Sequence, residues 1–154
     1  MELIGKRIIV TGCASGMGAA TVRAYVSAGA HVVGMDISEA AGSEVCAEAE
    51  GPGAVTFLPV DVADHDLVQE AFSVAVESMG GLDALAHPAA VHAGNSASDV
   101  TTADWDRLFA VNVRGTMLTN QTAHKYLRAA GGGSIINFGS ISGQLAEPAA
   151  AAYS

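Results

Sequence analysis

The chain has 154 residues and half of them are apolar, so it can bury one sizeable hydrophobic core. Its formal net charge of -9 at pH 7 offers no basic surface to nucleic acid or anionic lipid, and we expect neither as a partner. The two cysteines have neither metal-type nor disulfide-type spacing, and the sequence shows no signal peptide and no apolar run long enough to span a bilayer. These features predict a cytoplasmic protein.

Short apolar segments alternate with segments of helical periodicity along the chain. The predicted strands are Arg7–Val10, His31–Met35, Val55–Val60, Leu82–His87 and Ser134–Phe138. Their nearly continuous hydrophobicity is typical of strands covered on both faces. This order predicts an α/β fold over residues 1–154, with a doubly wound parallel sheet of Rossmann type and strand order 3-2-1-4-5. Strand 5 would then be an apolar edge, so we expect further strands beyond it.

Helical periodicity indicates which faces the connecting segments bury. The first helix is predicted to bury Met17, Ala20, Thr21, Ala24, Tyr25 and Ala28. The helix after strand 3 is predicted to bury Val68, Phe72, Ala75, Val76 and Met79. A long helix from about Thr102 to Ala129 carries the stripe Trp105, Leu108, Phe109, Thr116, Ala123 and Leu127. The helical pattern between Glu39 and Glu50 is weaker.

The first strand opens into a glycine-rich loop, Gly12–Gly18, which we call the glycine loop. Glycines let a backbone approach the pyrophosphate of a dinucleotide, and the N-terminus of the following helix offers free N–H groups and a positive dipole end. Loops of this kind also occur without ligands. If a dinucleotide binds, the residues predicted to contact it here are Gly12, Ser15, Gly16, Met17 and Gly18.

Acidic residues end the second and third predicted strands. Asp36, followed by Ile37, could accept hydrogen bonds from the adenosine ribose of NAD and would repel the 2′-phosphate of NADP; the alternative is an N-cap of the next helix. Asp61 and Val62 are placed to contact the adenine. The acidic residues that follow suit the first turn of a helix, and we expect no metal site among them.

Polar side chains in the second half of the chain provide candidate catalytic groups. Asn112 lies within the long helix, where it is either a structural tie or a positioned catalytic amide. Ser140 follows the fifth strand and Tyr153 begins a later helix, so both hydroxyls could lie over one crevice. His87 and His92 have no convergent cysteine or acidic partner, and we interpret them as crevice or loop residues.

Taken together, these motifs resemble the short-chain dehydrogenase/reductase family. The family's cofactor loop matches Thr11 to Gly18, and its acidic strand end matches Asp36. The adenine pair matches Asp61-Val62. The family's helix asparagine, catalytic serine and catalytic tyrosine match Asn112, Ser140 and Tyr153. The resemblance implies reversible hydride transfer between NAD and a secondary alcohol or ketone, with Tyr153 as general acid/base and Ser140 bonded to the substrate oxygen. Asn112 would help hold a water that relays protons.

Two departures from the family pattern bear on this interpretation. The family's N-N-A-G element appears as His87-Pro88-Ala89-Ala90, so Pro88 and Ala89 could keep backbone contacts to the cofactor but not amide contacts. The family's lysine, four positions after the tyrosine, falls beyond Ser154. We therefore expect the sequence to be the N-terminal portion of a dehydrogenase and the 154-residue chain alone to be nearly inactive. A non-catalytic NAD-binding module and a structural fragment are the alternatives. Full-length members of the family usually form dimers or tetramers.

Overall fold

The structure is a computed structural model that describes residues 2–154. Its centre is a five-stranded sheet of order β3-β2-β1-β4-β5 in which all neighbouring strands are parallel. The strands are β1 (Arg7–Thr11), β2 (His31–Asp36), β3 (Ala54–Pro59), β4 (Ala84–His87) and β5 (Ser134–Asn137). The predicted fold class and strand order are therefore confirmed.

Helices cover both faces of this sheet. They are α1 (Gly16–Ser27), α2 (Glu39–Ala47), α3 (His65–Met79), α4 (Thr102–Leu108) and α5 (Thr116–Ala129). A π-helical segment, Phe109–Gly115, joins α4 to α5, so the predicted long helix is confirmed as one continuous helical rod. Such wider turns are rare and occur frequently at functional sites, and this one contains Asn112.

Two hydrophobic clusters lie on opposite faces of the sheet. One packs Ile9, Val33 and Leu85 against residues of α3 and α5. The other packs the alternate strand residues Ile8 and Val32 against residues of α1 and α2. This alternation follows from the two-residue side-chain period of a strand.

The buried face of α1 differs from the predicted one. Its buried residues are Gly18, Ala19, Val22 and Val26, whereas Met17 is 61% exposed. Burying two valines four residues apart removes more apolar surface from water than burying the alanine-rich stripe, and the small residues at 18 and 19 let the first turn approach the sheet. The predicted face of α3 is correct, except that Val76 is only partly buried and Ala71 joins it.

An ion pair links Arg7, the first residue of β1, to Asp83, which directly precedes β4. The Arg7 guanidinium donates from Nε to Asp83 Oδ2 at 2.9 Å and from Nη2 to Oδ1 at 3.0 Å, and the Arg7 backbone N–H also donates to Oδ2. These hydrogen bonds from Arg7 lower the pKa of Asp83 to about 2. The pair helps set the register that brings Thr11 and His87 to the same edge of the sheet.

The outer side of β5 is apolar and exposed, as predicted for an edge. Ile136 is 43% exposed and Phe138, just after the strand, is 40% exposed. Within residues 2–154 no strand pairs with this side. No helix in that range combines the length and apolar character that crossing a membrane requires.

Candidate active site

Two clefts lie at the carboxyl ends of the strands, where open parallel sheets bind their ligands. The loop-side cleft has a volume of about 390 Å³ and is lined by Gly12, Asp36, Ile37, Val60, Asp61, Val62, Ala63, Ala89, Ala90, Val91, Arg107, Ala110, Val111 and Arg114. The serine–tyrosine cleft has a volume of about 310 Å³, and its polar lining includes His87, Asn112, Thr116, Asn137, Ser140, Tyr153 and Ser154. Both are lined by Ala89 and Ala90, so the two clefts adjoin.

Gly12 lets the glycine loop lie directly against the loop that follows β4. This residue has a φ of +59°, and a Cβ there would lie 2.7 Å from the Cα of Ala89. Only glycine adopts this conformation so close to another backbone without strain. Ser15 precedes α1 and makes no side-chain cap, so the first turn of the helix keeps N–H groups without intrahelical partners.

Asp36 is held in place by two backbone N–H groups. Its Oδ2 accepts a hydrogen bond from Ala14 of the glycine loop at 3.0 Å, and its Oδ1 accepts one from Ser38 at 2.9 Å. Asp36 is therefore not the N-cap of α2, a position that Ser38 occupies. Each carboxylate oxygen can accept a further hydrogen bond from the loop-side cleft.

The other predicted contacts to a dinucleotide divide into two groups. The first group, which lines the loop-side cleft, consists of Ile37, Asp61, Val62 and Ala89, and Asp61 Oδ1 accepts a hydrogen bond from the Ala63 N–H at 2.9 Å. The remaining predicted residues, which line neither cleft, are Ser15, Gly16, Met17 and Gly18 at the start of α1, and Pro88. Asp64, which follows Asp61, is the N-cap of α3 and accepts hydrogen bonds from two backbone N–H groups.

Sequence reasoning missed the helical wall of the loop-side cleft. The long helix contributes Arg107, Ala110, Val111 and Arg114 to it. The signal that could have identified them is their spacing of three and four residues, which places all four on one face of the long helix. Among the described residues no group of three or more His, Cys, Asp or Glu could hold a metal ion.

Asn112 clamps the loop that follows β4. Its side-chain Oδ1 accepts from the Val91 N–H and its Nδ2 donates to the Val91 carbonyl oxygen, both at 2.8 Å. The structural tie is therefore present. The residue also lines the serine–tyrosine cleft, and its backbone carbonyl accepts a hydrogen bond from Thr116 Oγ1 at 2.7 Å.

His87 is the centre of a buried hydrogen-bond network that sequence reasoning missed. Its Nδ1 lies 2.7 Å from Thr11 Oγ1, and its Nε2 lies 3.1 Å from Thr116 Oγ1. Since the Thr116 hydroxyl donates to the Asn112 carbonyl, we assign the proton of the neutral ring to Nε2, which leaves Nδ1 to accept from Thr11. The network joins β1, β4 and the long helix below the clefts. Burial lowers the pKa of His87 to about 4.

This buried histidine predicts acid sensitivity of the fold. In the unfolded chain a histidine has a pKa near 6.5, so between about pH 6.5 and 4 the unfolded state binds more protons than the folded state. The stabilisation present above pH 6.5 is therefore lost as the pH falls toward 4, by about 3 kcal/mol at most. Urea denaturation at pH 7 and pH 4.5 measures the loss. The variant His87→Asn should lose less stability over that interval, and an equal loss in both proteins would contradict this role.

Ser140 and Tyr153 lie on one cleft, as the sequence predicts, but in different local settings. Ser140 Oγ accepts from the Ser142 N–H at 3.2 Å and so caps the 3₁₀ turn Ile141–Gly143. Tyr153 is half-buried, and its ring meets the edge of His92 with centroids 4.8 Å apart. A hydroxyl from the end of β5 and a phenol thus line the same cavity as Asn112.

Comparison with known proteins agrees with this architecture. Residues 6–154 match the short chain dehydrogenase family, and the chain belongs to that family. A solved structure of a short chain dehydrogenase from Mycobacterium smegmatis superposes with a TM-score of 0.92 at 31% sequence identity, covering 98% of this chain and 65% of that protein.

Curated relatives include enzymes named for different alcohols. The chain is 36% identical over 153 residues to D-threitol dehydrogenase of Mycolicibacterium smegmatis, covering 99% of this chain and 59% of the relative. It is 38% identical over 142 residues to 3-alpha-(or 20-beta)-hydroxysteroid dehydrogenase of Mycobacterium tuberculosis, covering 92% of this chain and 54% of the relative. The chain therefore spans little more than half the length of these relatives.

Proposed function

We propose that the protein is an NAD-dependent oxidoreductase that interconverts a secondary alcohol and a ketone by hydride transfer. The observation that carries this proposal is the adjacency of the two clefts at Ala89 and Ala90. One cleft presents a fixed carboxylate beside the glycine loop, and the other presents a serine and a tyrosine. Relatives named as dehydrogenases of a sugar alcohol and of hydroxysteroids support the reaction class.

The residues of the loop-side cleft fit a dinucleotide. Gly12 allows the backbone approach, the first turn of α1 offers N–H groups for phosphate, and Asp36 has acceptor capacity for ribose hydroxyls. Asp61 and Val62 would contact the adenine. Bound NAD would supply the hydride acceptor or donor.

Asp36 favours NAD over NADP because its carboxylate would repel a 2′-phosphate. Arg107 and Arg114 also line the loop-side cleft, and their positive charge would attract such a phosphate. Both arginines are exposed on the long helix, whereas two backbone N–H groups hold Asp36 in position. A fixed charge beside the ribose site has the larger effect, so we propose NAD as the cofactor.

The serine–tyrosine cleft would hold the reacting substrate. Tyr153 would exchange the proton with the alcohol or ketone oxygen, and Ser140 would hydrogen-bond that oxygen. The side-chain amide of Asn112 is already bonded to Val91, so we propose that it acts on the cleft by holding the loop after β4. A water bonded to its backbone carbonyl would serve the proton relay.

Asp36→Asn tests the cofactor assignment. Asparagine keeps the shape but removes the charge and one of the two acceptor oxygens, and hydrogen bonds to charged groups contribute about 1.5–3 kcal/mol. We expect the dissociation constant for NADH to rise by about tenfold to a hundredfold, with a smaller change or an improvement for NADPH. Fluorescence titration with each dinucleotide measures both constants.

The matched control for this variant is Asp66→Asn. It removes the same charge from a side chain that is 97% exposed in the first turn of α3, and it should leave both dissociation constants unchanged. Tighter binding of NADPH than NADH by the unmodified chain would contradict the assignment of NAD.

Catalysis requires a separate assay. We propose that full turnover needs the lysine that the family carries four positions after its tyrosine. NADH formation with a panel of secondary alcohols should be measured for this chain and for a version extended through that lysine. Equal and strong turnover by both versions would contradict the proposal that the lysine is needed. Tight NAD binding without turnover in the extended version would favour a non-catalytic NAD-binding module.

An apolar stripe on the long helix supports self-association. Trp105, Phe109, Val113 and Met117 recur every fourth residue and are 40–55% exposed, and the first two rings stack with centroids 4.5 Å apart. We propose that the full-length protein is a homo-oligomer that buries this stripe, and light scattering would detect the oligomer.

The two free, buried cysteines suit a cytoplasmic protein, and we propose that location.

A further inference from the structure

Two thiols face each other beside the glycine loop. Cys13 is the second residue of that loop, and Cys46 lies on α2. A Cβ built on Gly34 of β2 would lie 2.9 Å from the Cys13 sulfur and 3.0 Å from the Cys46 sulfur. Both sulfurs therefore occupy the space that a side chain at position 34 would fill, and the absence of that side chain lets them approach one another.

We propose that Cys13 and Cys46 form a modification site at which a hydroperoxide oxidises the two thiols to a disulfide that joins the glycine loop to α2. The consequence for function rests on the proposed binding of NAD. Neither thiol takes part in the hydride-transfer chemistry described above, so the proposal adds a second reactive site to the molecule.

The environments of the two thiols differ and assign their roles. Cys46 is 7% exposed, whereas Cys13 is fully buried. The interaction between the two neighbouring sulfurs lowers the pKa of Cys46 and, together with burial, raises the pKa of Cys13. Since the thiolate is the nucleophile in thiol oxidation, Cys46 reacts first and Cys13 second.

The chemistry is balanced with hydrogen peroxide as the oxidant. The Cys46 thiolate attacks one peroxide oxygen, the O–O bond breaks, and the second oxygen leaves as water after taking up a proton. The Cys13 sulfur, losing its proton, then attacks the resulting sulfenic acid sulfur, the S–O bond breaks, and a second water leaves. The two thiols are oxidised to one disulfide, and one peroxide is reduced to two waters.

Forming this bond changes the position of the glycine loop. Sulfurs in a disulfide are about 2.0 Å apart, closer than two unbonded thiols can lie. Cys13 is held to β2 by a hydrogen bond from its N–H to the Met35 carbonyl at 3.2 Å, and the next residue, Ala14, donates to Asp36. Drawing Cys13 toward α2 therefore disturbs the contact between the glycine loop and the carboxylate proposed to bind the ribose.

The test compares the chain with Cys46→Ala after treatment with hydrogen peroxide. The products are alkylated, digested and examined by mass spectrometry, and NADH is titrated before oxidation, after it and after reduction with dithiothreitol. We expect a peptide pair linking Cys13 to Cys46 and a dissociation constant for NADH that rises about tenfold and recovers on reduction. The variant should show neither change, although it keeps every methionine that peroxide can oxidise.

Two results would overturn the proposal. One is oxidation that leaves both cysteines unlinked, and the other is a linked protein that binds NADH as tightly as the reduced one. Mass spectrometry detects the cross-link without NADH, so the cross-link can be tested even if the reduced chain binds no NADH. Failure of the reduced chain to bind NADH would contradict the proposed cofactor and not the cross-link.

Discussion

Replacing Tyr153 with phenylalanine is expected to reduce alcohol oxidation by about 10²- to 10⁴-fold, the usual contribution of a positioned acid or base. The phenol lines the cleft that also holds Ser140 and Asn112, and phenylalanine keeps the ring that packs against His92 while removing the only proton donor of this side chain. The effect should fall on kcat, because the dinucleotide is proposed to lie mainly in the neighbouring loop-side cleft. The assay uses the version extended through the family's lysine.

Tyr126→Phe provides the matched control. Tyr126 lies on α5, packs partly buried against the core and lines neither cleft. It should leave both kcat and the dissociation constant for NADH unchanged. If Tyr153→Phe retained the activity of Tyr126→Phe, Tyr153 would not be the acid/base.

Gly12→Ala is expected to damage both the fold and the dinucleotide site. The new methyl group would lie 2.7 Å from the Cα and 2.8 Å from the N of Ala89, so the glycine loop and the loop after β4 would have to separate. The φ of +59° adds about 1–2 kcal/mol for a non-glycine residue, and overpacking adds about 1–3 kcal/mol. We expect a loss of about 2–5 kcal/mol in unfolding free energy and at least about tenfold weaker NADH binding.

Gly5→Ala separates conformational strain from steric contact. Gly5 has a φ of +72°, but a Cβ there would meet no atom within 4 Å. This variant should lose only about 1–2 kcal/mol and bind NADH normally. Urea denaturation and NADH titration of both variants decide the matter. Equal stability losses, or normal NADH binding by Gly12→Ala, would contradict the close approach of the two loops.

The fold could be predicted because it depends on patterns that are local in sequence. Continuous apolar segments such as His31–Met35 are typical of strands covered on both faces, and their alternation with helices predicts parallel pairing. The buried face of α1 could not be predicted in the same way. The helix buries Val22 and Val26 instead of the alanine-rich stripe, and which face is buried depends on the surface of the sheet against which the helix packs.

The candidate site was predictable where a residue type and its place in a strand or loop act together. Gly12, Asp36 and Ser140 each lie at or shortly after the carboxyl end of a strand, so topology alone brings them to one end of the sheet. The network of His87 was not predictable, because its partners Thr11 and Thr116 come from distant parts of the chain and threonines carry no distinctive motif. The same holds for the hydrogen bonds between Asn112 and Val91, which join a π-helical segment to a loop 21 residues away in the sequence.

Binding of NADH to the unmodified chain tests the central claim most directly. The chain is first shown to unfold cooperatively, and NADH is then titrated while the nicotinamide fluorescence is recorded. We predict saturable binding at one site per chain, with NAD displacing the bound NADH. A chain that unfolds cooperatively and yet shows no saturable binding would contradict the assignment of the glycine loop and Asp36 to a dinucleotide site.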